Sequence, residues 1–171
     1  MAPINTAQLL DRYFGFLVRD FGFSTQPLLR RRDIAERRYR RDPIGVIVAI
    51  DLQETFTFVQ VCRLVDGSFA RAIGEIRPDT VLNCFDLNDL VELHDPSKVV
   101  RGYYPERPEP EGGLEGITKR QAENLRDIGG AVLSGDFSEF ATLESKVKAR
   151  AKRFAIEKWG PRAKEFGWDV P

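Results

Sequence analysis

Apolar positions near the start of the chain recur at helical spacing. Leu9, Leu10, Tyr13, Phe14, Leu17, Val18 and Phe21 fall on one face of a helix. Asn5 or Thr6 suits its N-cap and Gly22 its stop. Farther on the period changes. Val46 to Ile50 and the run TFTFVQVCRLV from Thr55 to Val65 are rich in β-branched and aromatic residues, which predicts two strands joined through Asp51 to Glu54. Asp66-Gly67 is a turn signal, and a third short strand is expected through Phe69, Ala70, Ala72 and Ile73. Residues 25–41 are read as one or two polar strands, with Ala35 to Arg41 open to a helical alternative.

The second half reads differently. Phe85 to Leu93 predicts a short helix capped by Asp86. Residues 101–116, with three prolines and four glycines, predict a linker or exposed loop. Two helices follow. Thr118 and Gln121 have capping-box spacing ahead of Ala122, Leu125, Ile128 and Val132. Phe137, Phe140, Leu143, Val147, Ala151 and Phe154 form the stripe of the last helix, and Gly129-Gly130 marks a break or close packing within the helix before it. The expected fold is α+β: an antiparallel meander of about four strands packed against an N-terminal helix, with a C-terminal pair of helices. The expected organisation is a core domain over 1–100, a Pro/Gly/Glu-rich loop over 101–116, and a helical extension over 117–171 packed on the same domain.

Composition narrows this picture. With 171 residues and 42% apolar content, twelve phenylalanines among them, the chain has material for one real core. Two cysteines are too few for a disulfide framework, and Cys62, inside an apolar run, is expected as a buried reduced thiol. Residues 1–20 mix charges with apolar positions and do not read as a signal peptide; no stretch has the roughly 18 apolar residues of a membrane span. A soluble, cytoplasmic protein is expected.

Charge is segregated along the chain although it sums to zero: +4 over residues 1–44, −7 over 45–115 and +3 over 116–171. Seven arginines (Arg30, Arg31, Arg32, Arg37, Arg38, Arg40, Arg41) stand within twelve residues, a composition suited to phosphate. Asp33, Glu36 and Asp42 dilute the run, and the protein as a whole is neutral, so a charged sheet edge explains it as well. Asp86, Asp89 and Glu92 share one side of the short helix at three-residue spacing, as in a magnesium site or glycosidase pair, but a solvated acidic face is the commoner explanation and a docking surface another. Tyr103, Tyr104 and Glu106 are contact candidates in the loop or its anchor to the core. The single histidine, His94, stands without a cysteine cluster or paired nucleophile, and no phosphate-binding loop is present. No catalytic, metal or cofactor site is expected. Rival readings are a nucleic-acid-associated protein using the arginine run, an enzyme using His94, and an assembly subunit dimerising through its C-terminal helices.

The opening Leu10 to Phe23, the arginine-rich segment, the strands, and the Phe85-Asp86-Leu87-Asn88-Asp89-Leu90 helix follow an order that resembles small bacterial immunity proteins. Those proteins are encoded beside polymorphic or contact-dependent toxins. The resemblance covers about residues 8–95. It implies a cytosolic protein that binds one cognate toxin domain and occludes its active site, without catalysis and with no residue role to carry over. An acidic middle segment would then suit a basic cleft such as that of a nuclease.

Overall fold

In the computed structural model, which describes residues 5–72, 74–100 and 111–170, the first apolar stripe forms α1 (Thr6–Phe14) and α2 (Phe16–Arg19). Asn5 caps α1 by accepting the Gln8 N–H, and the chain leaves α2 at Gly22 with a positive φ of 71°. Leu10, Phe14, Phe16 and Leu17 are buried against the sheet. The stripe is helical because its apolar positions meet one surface.

That surface is an antiparallel sheet of six strands among the described residues: β1 (Ser24–Thr25), β2 (Leu29–Arg31), β3 (Ile34–Arg41), β4 (Ile44–Asp51), β5 (Phe56–Arg63) and β6 (Cys84–Asp86). The order is β1-β3-β4-β5-β6, and β2 also pairs with β3. The polar segment 25–41 thus supplies three strands, and Ala35 to Arg41 is extended, not helical. Tyr39 and Ala35 point into the core, as residues four apart do on one face of a strand, and the whole segment pairs with β4.

The neighbour of β5 is β6, which corrects the expected third strand at Phe69 to Ile73. Asp66 and Gly67, both at positive φ, make the tight turn, and Val65 and Ser68 form a single bridge. Beyond it Phe69 to Ala72 leaves the ladder and lies across the sheet; Ile73 is outside the described residues. Gly45 explains how the segment can approach so closely. A Cβ there would collide with the Phe69 ring and the Leu64 side chain.

Asp86 ends β6 and caps α3 (Leu87–His94), accepting the Asn88 N–H at 2.8 Å. Buried Asn88 bonds both the carbonyl and the N–H of Val100, which fastens the following segment back onto α3. The third long element is α4 (Gly113–Asp127), so helix begins inside the expected loop. Gly112, left-handed with φ 91°, sets that start. Thr118 and Gln121 are therefore buried mid-helix groups and not a capping box. Thr118 Oγ1 donates to the Leu114 carbonyl and meets Thr57 Oγ1 at 2.7 Å, while Gln121 Nε2 donates to the Thr57 carbonyl. A break at Gly129 leads to α5 (Gly130–Leu133), then α6 (Phe140–Trp159). Leu114, Leu125, Leu133, Phe140 and Leu143 join the same core as α1 and the sheet. Phe154 of the expected stripe is 59% exposed. No helix of the described residues is long and apolar enough to cross a membrane.

Candidate functional site: the uncovered face of the sheet

The register sorts the strand residues into two faces, because directly paired residues point the same way. The face under the helices carries Tyr39, Val46, Val61 and Phe85 in one row and Ala35, Ile50 and Thr57 in another. The opposite face carries three rows of interest. One is Ile34, Asp51 and Phe56; the next is Leu29, Glu36, Ala49 and Phe58; the third is Arg38, Ile47, Gln60 and Asp86. A fourth row, Arg40, Gly45, Cys62 and Cys84, runs beneath the Phe69 segment.

That fourth row corrects the reading of Cys62 as a reduced thiol. Cys62 and Cys84 stand directly opposite on β5 and β6 and form a disulfide. Their pairing was hidden in the sequence because it depends on β6, and not 69–73, lying beside β5.

The segment after the Asp66-Gly67 turn covers only part of the outer face. Two adjoining hollows of about 200 and 210 Å³ remain, and both are lined by Gln60, Arg71 and Asp86. The first reaches toward Asp89 and Arg150, the second toward Ile34, Ile47 and Phe58. Ile34 and Phe58 are 42% and 38% exposed, so large apolar groups meet solvent there.

Most charges lining the hollows are compensated within the protein. Glu36 takes Arg38 Nε at 2.7 Å and Arg71 Nη1 at 3.2 Å. Asp89, 3% exposed, receives both guanidinium nitrogens of Arg150, at 2.6 and 2.9 Å. Two carboxylates are different. Asp51 and Asp86 form no ion pair among the described residues and accept only backbone N–H groups at turn and cap. Burial pushes the Asp86 carboxyl up to about 6; nearby Asp89 adds to the rise, while the Asn88 N–H and Arg150 oppose it. Beside it the Gln60 amide oxygen is buried without a hydrogen-bond partner among the described residues.

The residues expected to make contacts are not gathered as anticipated. Of the acidic trio, only Asp86 faces the hollows without an ion pair among the described residues. Glu92 pairs with Lys146 of α6, which also lies 3.8 Å from Asp89, so this side of α3 is an internal seam. Tyr103, Tyr104 and Glu106 lie outside the described residues. The seven arginines diverge. Arg30, Arg31 and Arg32 are exposed around the β2–β3 turn. Arg37 pairs with Asp11 of α1, and Arg41 donates to the Leu133 carbonyl and lies over the Phe23 ring. Arg38 and Arg40 point to the other face, toward Glu36 and Asp42. Strand alternation splits the run, and it makes no single phosphate-binding stripe. His94 Nε2 lies 2.8 Å from Glu139 Oε1, tying α3 to the start of α6.

Phe58, Gln60, Arg71 and Arg150 were absent from the candidates. The alternation of TFTFVQVC places Phe58, Gln60 and Cys62 together on one side, which is the signal that could have found the first two. Among the described residues no group of three or more His, Cys, Asp or Glu is placed to hold a metal ion. Two larger clefts exist. One lies between α1 and α4, and the other, between α6 and the 160–166 turn, is lined mainly by apolar groups. Compared with family models, curated proteins and solved structures, the chain matches none of them.

Proposed function

We propose that this chain is a non-catalytic binding protein that neutralises a cognate toxin domain by covering its active site. The observation that carries the reading is the uncovered sheet face, where exposed Ile34 and Phe58 stand beside Asp51 and Asp86, two carboxylates without ion-pair partners among the described residues. Apolar anchors rimmed by charge suit a protein partner. The uncompensated acids suit one with a basic surface, as an enzyme acting on a polyanion would have. The immunity-like order of elements supports the same partner class. We assign the docking surface to the outer side of β4 and β5 in preference to the face of α3, where Lys146 and Arg150 pair with Asp89 and Glu92. The division of the arginine run between two faces favours this reading over a nucleic-acid ligand.

The test combines capture with growth. The tagged chain, a Phe58→Glu variant and a control changed far from the face, Arg162→Glu, are used to capture partners from the native host. The expected result is one stoichiometric protein, held by the wild type and the control but not by Phe58→Glu. Expressing that protein alone should arrest growth, and co-expressing the chain should restore it. A partner held equally by all three variants, or one whose expression is harmless, would overturn the reading.

A further inference from the structure

We propose that the hollow between β5, β6 and the segment covering the sheet is an anchor site for one arginine side chain of the partner. The guanidinium would lie on the Asp86 carboxylate and the Gln60 amide oxygen, with the Phe58 ring beside it. This deepens the reading above and rests on it for the identity of the arginine's owner.

Four observations converge on this chemistry. Asp86 uses one oxygen to cap α3, while its other oxygen bonds nothing among the described residues and the side chain lines both hollows. Gln60, its direct partner across β5 and β6, holds a buried amide oxygen that meets no donor among the described residues. Two acceptors side by side, neither of them bonded to a cation, suit a ligand rich in N–H groups. The cations already present are engaged: Arg71 on Glu36 and Arg150 on Asp89. They line the hollow without filling the role. Phe58, packed edge-on against Phe56 with ring centroids 4.8 Å apart, offers a held aromatic surface. A planar guanidinium uses a carboxylate, an amide oxygen and a ring together, whereas a lysine ammonium uses the first far better than the last.

The site also predicts its own pH dependence. The charged groups facing Asp86 are Glu36, Arg38 and Asp51 from the strands, Arg71 from the covering segment, Asp89 from α3 and Arg150 from α6. Of these, Glu36, Arg38, Arg71, Asp89 and Arg150 are paired with one another. Burial holds the Asp86 carboxyl near 6, so the anion that receives the guanidinium is present at pH 7.5 and largely lost at pH 5.

The experiment needs no partner. N-acetyl-L-arginine amide is titrated into ¹⁵N-labelled protein, with N-acetyl-L-citrulline amide as the uncharged isostere and N-acetyl-L-lysine amide as the point charge. At pH 7.5 the arginine probe should shift the amides of Phe58, Gln60 and Asp86. The lysine probe should bind about tenfold more weakly, and citrulline should not bind. Lowering the pH to 5, or substituting Asp86→Asn, should abolish the shifts; Asn keeps the helix cap, so the variant folds. Gln60→Leu should weaken binding while preserving its pH profile. Citrulline binding as well as arginine, or shifts that survive in Asp86→Asn, would overturn the proposal. So would the absence of any response at these residues. If that happened while Phe58→Glu still lost the partner, the anchor would be wrong and the docking face right.

Discussion

Replacing Asp86 with asparagine removes a buried charge while leaving a residue that caps a helix equally well. In the folded protein, burial lifts this carboxyl from its ordinary 3.8 to about 6. The folded state therefore binds the proton more tightly than the unfolded chain does. The stability that comes with the protonated acid is present below pH 3.8 and is lost as the pH rises through 6. A rise of this size corresponds to about 3 kcal/mol, already net of the favourable cap bond. Asparagine undergoes no such loss. The stability of Asp86→Asn relative to wild type should thus improve by about 2 kcal/mol between pH 4 and pH 7.5, the rest of the change lying below pH 4. Urea unfolding of both proteins across that range measures it, because contributions from the other acids cancel in the difference. A difference that does not change with pH would refute the reasoning, and one that moves against asparagine would mean Asp86 gains a counter-charge on folding. If the gain is found, the native aspartate is maintained at a stability cost, as expected of a residue that serves binding.

Other outcomes follow from the packing. Asp89→Ala should lower stability by about 3 kcal/mol in chemical denaturation, because it removes the buried carboxylate that receives two Arg150 nitrogens. Glu92→Ala, which leaves Asp89 in place, should cost about 1 kcal/mol or less. Gly45→Ala should destabilise by about 1–3 kcal/mol through collision with Phe69, and adding Phe69→Ala should recover part of that loss in a double-mutant cycle. Replacing both Cys62 and Cys84 with alanine should cost about 3 kcal/mol under oxidising conditions, since the bridge closes 22 residues of chain, and much less in excess reductant.

Local patterns made much of this fold legible, and tertiary ones did not. The helical stripe from Leu9 to Phe21, the β4–β5 hairpin, the Asp66-Gly67 turn and the Asp86 cap are each decided by a few neighbouring residues. Phe69 to Ala72 failed as a strand because its apolar groups serve a different contact, the ring lying over Gly45. Thr118 and Gln121 had the spacing of a helix start, yet their polar groups turn inward to Thr57 on a distant strand. The candidate site was half visible. Asp86 stood out, but its isolation depends on Arg150 and Lys146 arriving from α6 to neutralise Asp89 and Glu92, and no local pattern announces that. The arginine run looked like one feature in the sequence and became two in space, because alternate residues of a strand face opposite ways.

The central claim is that the uncovered face of the sheet is where the partner docks. Its most direct test is the affinity of the captured partner for the wild type, for Phe58→Ala and for the distant control Lys119→Ala. The account predicts that Phe58→Ala weakens binding by at least about tenfold, the effect of truncating an interface anchor. Lys119→Ala, on the exposed side of α4, should leave the affinity unchanged. Equal affinity for all three proteins would contradict it and place the interface elsewhere on the molecule.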